Sequence, residues 1–212
     1  MKSLLHPTYF PSIAQFSVIV KSDAIVFEKF DNFQKQTYRN RMYVYGANGK
    51  QMLSIPIKHT GKDGRQLYKD VKVENDFPWQ KQHWKSLQTA YRTSPFFEFY
   101  EDEIAPLFEK KQEYLLDFNI STFETISDCL QLETDYSFTN SYATEITDND
   151  DLTDFRKLVN AKKINTPSFD TYTQVFDSKE GFLNNLSILD LLFNEGPNSL
   201  TYLEDQFLKI HL

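Results

Sequence analysis

Lys2-Ser3-Leu4-Leu5-His6-Pro7-Thr8-Tyr9-Phe10-Pro11, the apolar segment Ile13–Val20 and the run Ala24-Ile25-Val26-Phe27 decide how this chain folds. Leu4-Leu5 predicts a first strand over 2–6. Pro7 and Pro11 hold the following loop out of helix. Ser12 is a helix N-cap, and Ile13, Phe16 and Val20 share one face of a helix over 13–21. Ala24–Phe27 is a continuous apolar run, the pattern of a strand buried on both faces. Strand, helix and strand within this length make a βαβ unit, whose strands run parallel. Ligands of such sheets sit at the strands' carboxyl ends. Here those ends are 6–11 and 30–41.

Working outward, 41–45 and 51–57 flank Gly46-Ala47-Asn48-Gly49 and predict a β-hairpin. Residues 59–66 read as a polar loop, and 68–74 as a further strand. The chain then becomes helical. Asp76 and Pro78 open a helix carrying Trp84, Leu87, Ala90 and Tyr91. Ser94-Pro95 divides it from a second with Tyr100, Ile104, Leu107 and Phe108. A third spans about 112–131. A short strand is expected over 136–142 and a loop over 148–151, while 155–176 carry no decisive pattern. Ser187 and Asp190 have capping-box spacing ahead of Ile188–Phe193, Gly196-Pro197 ends that helix, and Leu200, Leu203 and Phe207 mark a last one. The expected architecture is α/β, a Rossmann-like βαβ start with a hairpin insertion and a mainly helical C-terminal half. Residues 1–75 are expected to form the α/β core and 76–212 the helical portion packed on it, within one structural domain by length.

Charge is unevenly spread. The net charge of −7 conceals ten Lys/Arg against Asp31, Asp63 and Asp70 over 29–72, and 11 Lys/Arg against 25 Asp/Glu over 73–212. The basic island reads as a site for a small anionic substrate, or as a sheet edge guarded by lysines. The acidic remainder speaks against nucleic acid. A single cysteine, Cys129, excludes a disulfide framework, and no glycine-rich phosphate loop is present. No leader and no membrane-length apolar run is found, so a cytoplasmic location without membrane insertion is expected. No histidine pair has metal-ligand spacing, so neither metal nor cofactor is expected. Oligomeric state has no signature here.

Candidate chemistry lies in the two loops. His6 offers a base, and Tyr9 a hydrogen bond or stacking ring. Asp31, Gln34, Lys35, Arg39, Asn40 and Arg41 place six hydrogen-bonding groups after a buried strand, with the arginines suited to phosphate or carboxylate. His83, beside Trp84, reads as a site residue or a packed core histidine, and His59 as an anion contact. His6, Asp31 and His83 are the catalytic candidates; Tyr9, Gln34, Lys35, Arg39, Asn40, Arg41 and His59 are the substrate-binding ones.

Pro7-Thr8-Tyr9-Phe10-Pro11, Phe16, Asp23-Ala24-Ile25-Val26-Phe27, Gln34 and Asn40-Arg41 together resemble the amino-terminal signature of the WbqC-like family. The likeness continues through Ser54-Ile55-Pro56-Ile57, His83-Trp84, Tyr91, Ser94-Pro95-Phe96-Phe97, Ser187-Ile188-Leu189-Asp190 and Phe193-Asn194-Glu195-Gly196. His6 stands where the family has glutamine, and Ser12, Ala14 and Gln15 where it has Trp, Gly and Tyr, the mark of a divergent branch. The resemblance implies a role in surface polysaccharide or O-antigen biosynthesis. It also implies transfer of an aminoacyl group, glycine for instance, to an amino sugar or nucleotide sugar. The alternative is a non-catalytic binding protein for an anionic glycan precursor or a protein partner. The opening also resembles nucleotidyltransferase-like Rossmann enzymes such as pantothenate synthetases, but their paired-histidine element is missing, so adenylate chemistry is not expected.

Overall fold

The computed structural model describes residues 1–58, 66–146, 151–161, 168–207 and 210. Strand β1 (Lys2–Leu5), helix α1 (Ile13–Val20) and strand β2 (Ala24–Phe27) form the expected βαβ unit. β1 and β2 pair in parallel, with Lys2 opposite Ala24 and Leu5 opposite Phe27. Ser12 caps α1, its hydroxyl accepting from the Gln15 N–H. Seven consecutive residues of α1, Ile13 to Ile19, are buried, because α6 (Ile188–Glu195) and α7 (Ser199–Gln206) pack against it. A helix covered on several sides has no need of an amphipathic stripe.

Two later strands complete the sheet: β5 (Asp135–Phe138) pairs with β2, and β6 (Leu152–Asp154) with β1, both in parallel. The strand order is β5-β2-β1-β6. The chain leaves β1 toward one edge and returns for β6 on the other side, so the order reverses between β1 and β6. Such a reversal opens a crevice at the carboxyl ends of the strands. Strands β3 (Arg41–Gly46) and β4 (Gly49–Ser54) form the separate antiparallel hairpin, turning at Gly49 with φ +91°. The helical remainder comprises α2 (Trp79–Tyr91), α3 (Phe97–Ile104), α4 (Leu115–Cys129) and the single turn α5 (Asp177–Glu180).

Three expectations change. Residues 68–74 are not a strand: Tyr68–Asp70 form a 3-10 turn, followed only by isolated bridges from Lys72 to Tyr114 and from Val73 to Ile57. The cause is the Tyr68 phenol, drawn inward to donate to the Pro7 carbonyl at 2.7 Å and to accept from Asn119 Nδ2 at 2.6 Å. Helix α2 is capped by Pro78 without a side-chain bond, not by Asp76. Ser187 does cap α6 through its hydroxyl, but Asp190 does not close a capping box. Its carboxylate is fully buried and accepts from Tyr91 Oη (2.8 Å), Tyr172 Oη (2.5 Å) and Gln174 Nε2 (2.8 Å). Burial pushes that carboxyl up to about 6. No helix among the described residues is long and apolar enough to cross a membrane.

Candidate functional site

Three of the candidate residues meet beyond the ends of β1 and β2. His6 follows β1 directly, Asp31 ends the turn after β2, and Arg39 precedes β3. His6 Nε2 lies 3.0 Å from Asp31 Oδ2, and Arg39 Nη2 reaches both Asp31 Oδ2 and, at 2.6 Å, His6 Nε2. The scaffold holds each of them from the main chain. Gln15 Nε2 donates to the His6 carbonyl at 3.3 Å, and Asn119 Nδ2 to the Arg39 carbonyl at 2.6 Å. Glu28, itself buried, accepts from the Asp31 N–H at 3.1 Å. The Arg39 guanidinium lies 5.3 Å over the Tyr68 ring.

Burial lowers the His6 imidazole to about 4, so it is neutral at physiological pH. Burial pushes the Asp31 carboxyl up, but the His6 hydrogen bond and the Arg39 charge outweigh it and hold the group below its usual range. Burial lowers Arg39, against the pull of Asp31. Nδ1 of His6, and Nε and Nη1 of Arg39, are buried with no hydrogen-bond partner. A tautomer donating from Nε2 to Asp31 leaves Nδ1 a free acceptor, and one accepting from Arg39 at Nε2 leaves Nδ1 a free donor.

His6, Asp31, Gln34 and Arg39 line one pocket of about 210 Å³, together with Tyr142, Thr144, Asp154, Arg156, Lys157, Val159 and Asn160. This is the crevice between β1 and β6. Sequence reasoning missed its far wall. Arg156 donates from Nε to Asp154 Oδ1 at 3.0 Å and from Nη2 to Oδ2 at 2.7 Å. Its Nη1 also donates to the Ala143 carbonyl at 2.6 Å. The bond to Asp154 raises Arg156, while Asp154 is lowered because hydrogen bonds from Arg156 outweigh its burial. The available signal was Asp154-Phe155-Arg156 directly after Leu152-Thr153, a three-residue strand too short to stand out.

The other candidates lie elsewhere. Lys35, Asn40 and Arg41 line a second pocket, so the two arginines do not form a joint clamp. Tyr9 and His83 sit in the core: Tyr9 Oη is 2.8 Å from His83 Nδ1, and His83 also packs edge-on against Trp79. His59 falls outside the described residues, as do the 59–65 portion of its loop, 147–150 and His211. No group of three or more His, Cys, Asp or Glu able to hold a metal occurs among the described residues. Cys129 is free and half-buried.

Fold and pocket together define a mixed α/β protein whose candidate site lies at the carboxyl edge of a parallel sheet. The profile of the WbqC-like protein family matches residues 6–169, and the chain belongs to that family. It is similar to Uncharacterized protein Rv1507c of Mycobacterium tuberculosis (strain ATCC 25618 / H37Rv). The two are 24% identical over 226 residues, an alignment covering 95% of this chain and 96% of that protein. No solved structure matches the chain.

Proposed function

We propose that the pocket between β1 and β6 binds a small anionic sugar derivative and that the protein transfers a group onto it. The observation that carries this reading is His6. It is a neutral imidazole, oriented by Asp31, with Nδ1 unpaired, at the strand-order reversal where α/β sheets take their ligands. A neutral histidine held by a carboxylate is equipped to act as a general base. In the tautomer that donates from Nε2 to Asp31, Nδ1 takes the proton from an acceptor amine or hydroxyl as that atom bonds to the incoming group, and the donor's leaving group departs with the electron pair. Asp31 then stabilises the imidazolium.

The anionic part of the substrate would meet Lys157, which forms no ion pair among the described residues, and the unpaired donors of Arg39. A pocket of about 210 Å³ is smaller than the ~300–1,000 Å³ typical of drug-sized ligands and suits one sugar ring. The family resemblance supports an aminoacyl group as cargo and surface polysaccharide as destination.

A non-catalytic holder of a glycan precursor is the second reading. It is favoured by the near closure of the trio, since His6, Asp31 and Arg39 are only 4%, 8% and 0% exposed. Mass spectrometry of reactions containing UDP-hexosamines or hexosamine phosphates with an activated amino acid separates the two. An adduct made by the native protein and lost in His6→Gln supports transfer. Saturable binding without any product supports the holder.

A further inference from the structure

The loop that carries Gln34 and Arg39 into the first pocket turns their immediate neighbours, Lys35 and Asn40, into a second one of about 490 Å³. That volume falls within the range of pockets that enclose whole ligands. We propose that this second pocket binds a nucleoside phosphate.

Each part of such a ligand has a counterpart. Asn40 Nδ2 donates to the Ile55 carbonyl at 3.1 Å and to Ser54 Oγ at 3.4 Å, which fixes the amide and leaves Oδ1 as a buried acceptor with no partner. The following residue, Arg41, has its Nε buried with no partner. A free acceptor and a free donor on consecutive pocket-lining residues are the groups that the lactam or amidine edge of a nucleobase pairs with, and leaving both unmet costs free energy. Phe33 and Phe77 also line the pocket, and Phe77 is 64% exposed, an unusual position for a ring of that size. They offer a face on which a base stacks. Lys35 and Arg41 form no ion pair among the described residues, so both are available to phosphate. Glu74 supplies a carboxylate that can accept from ribose hydroxyls; its Oε1 is set by the Asp76 N–H at 3.1 Å.

This inference deepens the reading above by naming a nucleotide as part of the ligand, but it stands on a separate pocket. Titration with nucleotides alone therefore distinguishes the two, since the His6 site can fail while nucleotide binding persists. Calorimetric titration with UDP, ADP and inorganic pyrophosphate tests it. The expected result is saturable nucleotide binding, stronger than that of pyrophosphate. Loss of one stacking ring in Phe77→Ala should weaken it by about tenfold, and Lys35→Ala should reduce its salt dependence. Phe77 and Lys35 are exposed, so neither variant disturbs the core. Nucleotides binding no better than pyrophosphate, equal affinity in Phe77→Ala, or no saturable binding would each overturn the proposal.

Discussion

Replacing His83 by glutamine should make this protein slightly less stable at neutral pH and more stable than the native chain in acid. His83 is 6% exposed, with Nδ1 facing Tyr9 Oη at 2.8 Å. Burial keeps the Tyr9 phenol protonated, so it donates to Nδ1 and leaves the ring proton on Nε2. That bond is made by the neutral ring, and burial lowers it to about 4 from an ordinary 6.5. The unfolded chain therefore takes up a proton near pH 6.5, while the folded chain resists until about pH 4. Stability falls as pH drops through that window. Linkage over this interval makes the native chain about 2 kcal/mol less stable at pH 4.5 than at pH 7.5 through His83 alone. Glutamine does not titrate, and losing part of the Tyr9 bond costs about 1 kcal/mol at either pH. The other ionisable groups are common to both proteins, so their contributions cancel. Urea unfolding of the two proteins at pH 7.5 and pH 4.5 should show the stability difference reverse sign. A difference that stays the same at both pH values would refute this account of His83.

Asp31→Asn should cost about 3–5 kcal/mol in urea unfolding at pH 7, because it leaves the Arg39 charge buried without its counterion. Gly196→Ala should lower stability by about 2–4 kcal/mol, read as a drop in thermal midpoint. An added Cβ would lie 2.6 Å from the Phe96 ring, at a backbone φ of +52° that disfavours side chains. Burial pushes the Cys129 thiol up to about 12, so iodoacetamide should label the folded protein at pH 8 far more slowly than the urea-unfolded chain.

How much of this was legible in sequence follows from how local each signal is. The βαβ unit was readable because β1, α1 and β2 are consecutive and Ala24–Phe27 is apolar throughout. The hairpin was readable from Asn48-Gly49. Of the outer strands, β5 overlaps the short strand expected over 136–142, but its place beside β2 was not legible, and β6 was missed altogether. Asp135–Phe138 alternates exposed and half-buried residues, and Leu152–Asp154 is only three residues long. Both exist because β2 and β1 present unpaired edges to them, which is long-range information. For the same reason the motif loops could be picked out while the Asp154–Arg156 wall of the pocket could not. Tyr68 and Asp190 show tertiary hydrogen bonds overriding local pattern: one draws a strand-like segment into a turn, the other takes a capping residue into the core. Arg39 and Arg41, only two positions apart, line different pockets, a separation that no sequence pattern announces.

The most direct test of the His6 pocket is long-range 1H–15N NMR of the imidazoles during titration with hexosamine phosphates at pH 7. The account predicts a neutral His6 in the free protein, with its signals shifting to saturation on addition of ligand while those of His83 in the core stay fixed. His6 signals that do not move with any sugar phosphate, or that move only together with those of His83, would contradict it.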